Sequence, residues 1–208
     1  MNDAEPASDA AAYVQTQAVV WTYPTEDAVA SSPTVSPDGA TVYVGSHDSY
    51  VYAIRTADGK LVWKYKTGVS VRPSTATYTA DGVTLYGGCE AGYVHAIRTA
   101  NNLLVWRYKT GGWVRSSPAL SSDEATLYVG SHDGYVYALR TADGERVWRH
   151  HTGGRVTSSP ALSPDGATLY IGSDDGYVHA ISTADGGAVC QHDQPHKRGH
   201  RLLRAPKA

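Results

Sequence analysis

No phenylalanine occurs in this sequence, although it holds 15 tyrosines and five tryptophans. Residue choice made separately at each position would mix the three aromatics, so the bias points to copying of one unit. Cysteine occurs only twice, at Cys89 and Cys190. The two fall at different places in the repeat described below, which excludes a copied disulfide framework and leaves a single bridge without support. No run of 18 apolar residues is present, which excludes a membrane-spanning helix. Charge of one sign is not in excess: the net charge is -2 and the pI is near 6.5. Neither nucleic acid nor an anionic membrane surface is therefore expected as a partner, and partner choice must come from local patches. The opening MNDAEPASDAAA has neither a basic n-region nor an apolar h-region, so a cytoplasmic location is the default expectation.

What is present is one sentence written four times. TLYVGSHDGYVYALRTADGERVW at residues 126–148 matches TVYVGSHDSYVYAIRTADGKLVW at 41–63 and TLYGGCEAGYVHAIRTANNLLVW at 84–106. TLYIGSDDGYVHAISTADGGAVC follows at 168–190. Trp21, Trp63, Trp106 and Trp148, and likewise Tyr43, Tyr86, Tyr128 and Tyr170, step by 42 or 43 residues. A period of that size signals a propeller, a solenoid or another repeat array.

The chain divides into a leader at 1–12, repeats over 13–192 and a basic polar tail at 193–208. The repeat units run at about 28–68, 69–111, 112–153 and 154–192, with an extra outer strand near 18–24 that matches only the end of a unit. In the last unit four strands are expected, at 156–163, 168–173, 177–183 and, more weakly, 188–192. SPDGA, GSDDG and TADGG link them, and Asp-Gly is expected to supply positive backbone angles for tight hairpins. Three successive hairpins make a four-stranded antiparallel meander. Residues 135–139, Tyr-Val-Tyr-Ala-Leu, are apolar on both alternating faces, so each sheet is expected to be covered on both sides, as in stacked radial blades.

Pro33, Pro118 and Pro160 fall inside the expected first strand of their units. Proline is tolerated mainly on edge strands, which makes this strand the innermost one. Beside it, the serine pairs at 31–32, 116–117 and 158–159 let blades converge; the second unit departs, with Ala76 at the proline position and Pro73 upstream. In the outer strand, Trp and Tyr alternate with Lys and Arg, as in VWKYK at 62–66. The aromatics are expected to face a neighbouring blade and the cations solvent. A basic rim could meet an acidic partner, while the competing reading is that these charges block edge-to-edge pairing.

AIRTADGKLVW at 53–63 and ALRTADGERVW at 138–148 resemble the tryptophan-docking repeat of the pyrroloquinoline-quinone (PQQ)-like propellers. Ala, Gly and Trp keep the family spacing, while Arg55 and Arg140 replace an Asp, and Asp58 and Asp143 replace a Thr. The resemblance, which covers about residues 18–190, implies an all-β propeller and docking roles for Trp21, Trp63, Trp106 and Trp148. It also implies membership among quinone-dependent dehydrogenases, an outer-membrane assembly lipoprotein, or propellers fused to adenylation enzymes, commonly with seven or eight blades. The dehydrogenases hold quinone and calcium with a vicinal disulfide, and this sequence has no adjacent cysteines, so no cofactor is expected. A lipidation cysteine after a signal, expected of the lipoprotein branch, is also missing from the opening residues.

Ser46-His47-Asp48 and Ser131-His132-Asp133 hold triad residue types, but consecutive turn residues do not converge as a triad does. One acidic turn supplies too few oxygens for calcium. Cys190, His192, His196 and His200 form a loose metal-type series in a basic tail that is read instead as solvated. No metal site is expected. More informative is one propeller face, where alternating strands gather Arg72, Trp113, Arg115 and Arg155 with His47, Asp48, Glu90, His132, Asp133, Asp174 and Asp175. Differences between copies there suggest a binding surface; drift after duplication is the alternative.

The expected function is therefore a non-enzymatic scaffold that binds a protein or peptide. Its rival is a fragment of a larger quinoprotein or adenylation enzyme. Four blades are expected to close through residues 18–23 docking on the fourth blade; the alternatives are an open arc of a larger ring and a homodimer of two arcs making eight blades.

Overall fold

The computed structural model describes residues 19–68 and 76–189. Among these residues fifteen strands form four separate antiparallel sheets, each one repeat. The first blade holds β1 (Thr34–Val35), β2 (Thr41–Gly45), β3 (Tyr50–Arg55) and β4 (Leu61–Lys66), hydrogen-bonded in that order. The second holds β5 (Thr77–Tyr78), β6 (Thr84–Gly88), β7 (Tyr93–Arg98) and β8 (Leu104–Lys109). The third holds β9 (Ala119–Leu120), β10 (Thr126–Gly130), β11 (Tyr135–Arg140) and β12 (Arg146–His151). The fourth has three strands among the described residues, β13 (Ala161–Leu162), β14 (Thr168–Gly172) and β15 (Val178–Ser182). No helix among the described residues is long and apolar enough to cross a membrane.

The apolar pattern on both strand faces is used as expected. From β11, Tyr137 and Leu139 pack with Tyr86, Ala96 and Trp106 of the second blade. Val136 and Ala138 pack on the opposite side with Leu169, Ile171 and Ile181 of the fourth. The core thus lies between blades, not within them.

The inner strands are shorter than expected. Pro33, Pro118 and Pro160 do not lie within them; each precedes a two-residue strand. The missing ladder is replaced by side-chain bonds. Ser31 Oγ donates to Gly45 O at 2.8 Å and accepts from Gly45 N at 2.7 Å. Ser158 holds Gly172 in the same way. Inner edges of neighbouring blades are tied by Thr34 Oγ1 to Ala76 O at 2.9 Å and by Ser117 N to Ser159 Oγ at 3.1 Å. Pro73 lies outside the described residues.

The hairpins need one positive angle each, not two: Gly39, Gly82 and Gly166 have φ near 70° and the preceding Asp does not. At the tip between β2 and β3, Ser49 takes φ 77° where its counterparts are Gly92, Gly134 and Gly176. A left-handed non-glycine residue costs about 1–2 kcal/mol, and the Ser49 side chain makes no hydrogen bond among the described residues. Ser49→Gly is therefore expected to raise the urea unfolding midpoint, with a net gain of up to about 1 kcal/mol after the added entropy of the unfolded chain. A lowered midpoint would contradict this.

Four of the five tryptophans dock one blade forward. Trp21, Trp63 and Trp106 Nε1 donate to the carbonyls of Thr56, Thr99 and Thr141 at 2.7 Å, and Trp148 to Thr183 at 2.9 Å. The rings lie on the turn glycines: a Cβ on Gly59, Gly144 or Gly186 would sit 2.6–2.8 Å from the indole atoms. The aromatic two residues later also docks forward, Tyr23 on Tyr52, Tyr65 on His95, Tyr108 on Tyr137 and His150 on His179, all at 5.6–5.8 Å.

This overturns the expectation that residues 18–23 dock on the fourth blade. Trp21 and Tyr23 cover Val44, Tyr52 and Ile54 of the first blade instead. The expected fourth strand at 188–192 is reduced, within the described residues, to a bridge between Ala188 and Ile181. The outer-strand cations also do more than face solvent. Lys64 Nζ lies 4.5 Å from the Tyr50 ring, Arg107 lies 5.0 Å from Tyr93 and Arg149 lies 4.4 Å from Tyr135.

Candidate functional site

The two loop sets expected on one face are brought together. The backbone N–H of His47 donates to Ala28 O at 2.9 Å, that of His132 to Trp113 O at 2.8 Å and that of Asp174 to Arg155 O at 2.8 Å. In the first, third and fourth blades the inter-strand turn is thus clipped to the segment that enters its own blade. Neighbouring blades are clipped too, by Val114 N to Cys89 O and Val156 N to Ser131 O.

On this frame Trp113 stands out. Its indole is 47% exposed, unlike the docking tryptophans, because it grows from a loop and not from an outer strand. His132 lies against one part of it, with ring centroids 5.5 Å apart, and the Arg115 guanidinium lies 4.6 Å from its ring. Arg115 is fixed in turn by Glu90, with Nη2 to Oε1 at 2.6 Å and Nε to the same oxygen at 3.2 Å. That pair joins the second blade to the third. Beside it Gly112, Trp113, His132 and Arg155 line an open cavity of about 270 Å³. Arg155 is exposed, and its guanidinium makes no hydrogen bond or ion pair among the described residues.

Burial, reinforced by the charges of Arg115 and Arg155, holds the His132 imidazole below the ordinary histidine range. The ring is therefore neutral at pH 7 and suited to stacking. Its Nε2, like that of His47, is buried without a hydrogen-bond partner among the described residues.

The acidic residues of this face divide. Asp48, Asp133 and Asp175 are turn locks. Asp133 accepts from Tyr135 N at 3.1 Å, Gly111 N at 2.6 Å and Tyr137 Oη at 2.6 Å. Asp48 accepts from Tyr50 N, Tyr52 Oη and Glu26 N. Asp175 accepts from Tyr177 N and His179 Nε2. Asp174 is exposed and Glu90 belongs to the interblade pair. Neither Ser-His-Asp run converges, since Ser131 Oγ turns to Thr110 Oγ1 and Asp133 to Tyr137. Arg72 and the Cys190, His192, His196 and His200 series lie outside the described residues.

A second polar cluster escaped the sequence reading. His95, 3% exposed, lies with Nδ1 3.5 Å from Tyr65 Oη and Nε2 3.7 Å from Cys89 Sγ. Burial, with the Arg107 charge across the strand, pushes its pKa down to about 4. Only the replacement of Tyr by His at this repeat position, shared with His179, marks it in the sequence.

Forward-docking tryptophans, four meander sheets and interblade cores define a PQQ-like repeat β-propeller. The family model described as "Outer membrane protein assembly factor BamB" matches residues 7–72 and 67–205, and the chain belongs to that family. Among solved structures it is similar to BamB from Moraxella catarrhalis, with a TM-score of 0.62 and 19% identity. The match covers 77% of this chain and 47% of that one, so the chain spans about half the length of its structural neighbour. No curated protein matches it.

Proposed function

We propose that this chain is a non-enzymatic scaffold module that binds a protein or peptide partner on the face bearing Trp113, His132 and Arg155. The observation that carries this is an exposed indole, held between His132 and Arg115, at the mouth of a cavity of about 270 Å³. No docking contact between blades requires Trp113 to be there. Aromatic and arginine side chains together are the usual anchors of protein interfaces, and the interblade pair of Arg115 with Glu90 fixes the indole before a partner arrives. A partner segment presenting a carboxylate to Arg155 beside an apolar side chain on Trp113 fits this chemistry. The assembly role printed for the matching family supports a protein partner as well.

The test uses Trp113→Ala/Arg155→Ala, which spares Arg115 and so leaves its bond to Glu90. Partners captured by wild type and identified by cross-linking mass spectrometry are purified and titrated against both proteins, with circular dichroism checking the fold. Loss of one anchor costs about 2 kcal/mol, so binding should weaken about 30-fold or more. Equal affinity for the folded double variant would move the site off this face.

A further inference from the structure

The two ends of the arc are unequal, and the inequality has a pattern. On the forward face of the first three blades, the tyrosine of the second strand is sealed: Tyr43, Tyr86 and Tyr128 are 2–5% exposed. In the fourth blade the same position, Tyr170, is 44% exposed. Val51, Val94 and Val136 are 0–8% exposed, against 77% for Val178. The cause is specific, because Tyr43, Tyr86 and Tyr128 each rest 5.7 Å from their own blade's tryptophan, and the fourth repeat carries Cys190 in its place. Residues 190–208 contain no tryptophan. On its outer side, among the described residues, β15 forms a single bridge to Ala188.

The other end has the converse imbalance. Residues 19–23 match an outer strand: Trp21 and Tyr23 make both forward contacts, yet the segment pairs with no strand among the described residues. Val19 and Val20 are 75% and 84% exposed. One end therefore lacks what the other end offers unpaired.

We propose that residues 19–23 of a second copy of this chain supply the outer strand of the fourth blade. Two arcs of four blades then close reciprocally into one ring of eight. In the first blade Ala53 faces Trp63 and Val51 faces Tyr65; the same register sets Trp21 of the second copy opposite Ala180 and its Tyr23 opposite Val178. Trp21 then covers Tyr170 of one copy while still docked on Thr56 of its own. Pro24 fits as well. It takes the place of Lys66, which neighbours the ladder bond from Thr67 N to Ser49 O, so the N–H that proline lacks is one that points away from the partner strand.

Sedimentation equilibrium of the full 208-residue chain should give twice the 22.2 kDa chain mass. Val178 is exposed in the single arc, so Val178→Glu and Val178→Lys are expected to keep the wild-type circular dichroism spectrum and to sediment at 22.2 kDa. Three results overturn the proposal: a wild-type monomer at the highest soluble concentration, a mass that keeps growing with concentration, or a dimer that survives both substitutions. A monomeric wild type whose Tm falls on Val178→Glu would assign the face to residues 190–208 of the same chain instead.

Discussion

Trp106→Ala is expected to remove about 3–5 kcal/mol of stability, a large part of the roughly 5–15 kcal/mol that holds a typical domain together. Trp106 is 7% exposed and sits in one cluster with Tyr86, Leu127, Val129, Tyr137 and Leu139, so its loss opens a cavity between the second and third blades. It also leaves the Thr141 carbonyl without its 2.7 Å donor. Trp106→Phe keeps one ring near Gly144 but loses the bond and the volume of the second ring, at a cost of about 1–3 kcal/mol for the unmade bond plus a smaller cavity than alanine leaves. Trp21→Ala should cost less than Trp106→Ala, because Trp21 is only half-buried and covers one side of one blade. Urea unfolding monitored by circular dichroism measures all three. A Trp106→Ala midpoint equal to wild type would mean that the indole does not hold the blades together.

The second large effect is set by pH. His95 has a folded pKa of about 4, below the ordinary histidine value of 6.5. Between these values the unfolded chain binds a proton that the folded chain refuses, so stability falls as pH drops through the window and levels off below about 4. A gap of that size corresponds to on the order of 3 kcal/mol. His95→Gln removes the titration, and its unfolding free energy from pH 7 to pH 4 should be flatter than wild type by about that amount. His132, depressed in the same direction, leaves a residual slope in the variant. Parallel profiles for the two proteins would show that His95 is protonated in the folded state.

The second and third strands of the first three blades could be read directly from the sequence, because β-branched and aromatic residues there alternate between two faces that are both buried. The inner strand was legible only as an edge. Its length was hidden because Ser31 and Ser158 take bonds that a longer ladder would have made, and no propensity scale registers such an exchange. The destination of Trp21 was hidden for another reason. A tryptophan of this motif contacts two blades, pairing with its own and docking on the next, and the motif does not say which of the two blades a given tryptophan will be found on. At the candidate site, Trp113 was visible as an aromatic outside the repeat pattern. Asp133 and Asp48 looked like surface acids, yet the tyrosines four residues later, Tyr137 and Tyr52, bind them and were the available clue. The cavity beside Trp113 was not legible, since Gly112, His132 and Arg155 meet only through the backbone bonds between loops.

The forward docking also orders events during synthesis. Every docking tryptophan bonds to a threonine 35 or 36 residues later in the chain. When the turn of a new blade leaves the ribosome, the indole that will cover it has already been made. Assembly is therefore vectorial: each finished blade presents a waiting template to the next. A ribosome paused after residue 153 would have made three blades and a fourth docking ring, Trp148, with nothing yet to cover.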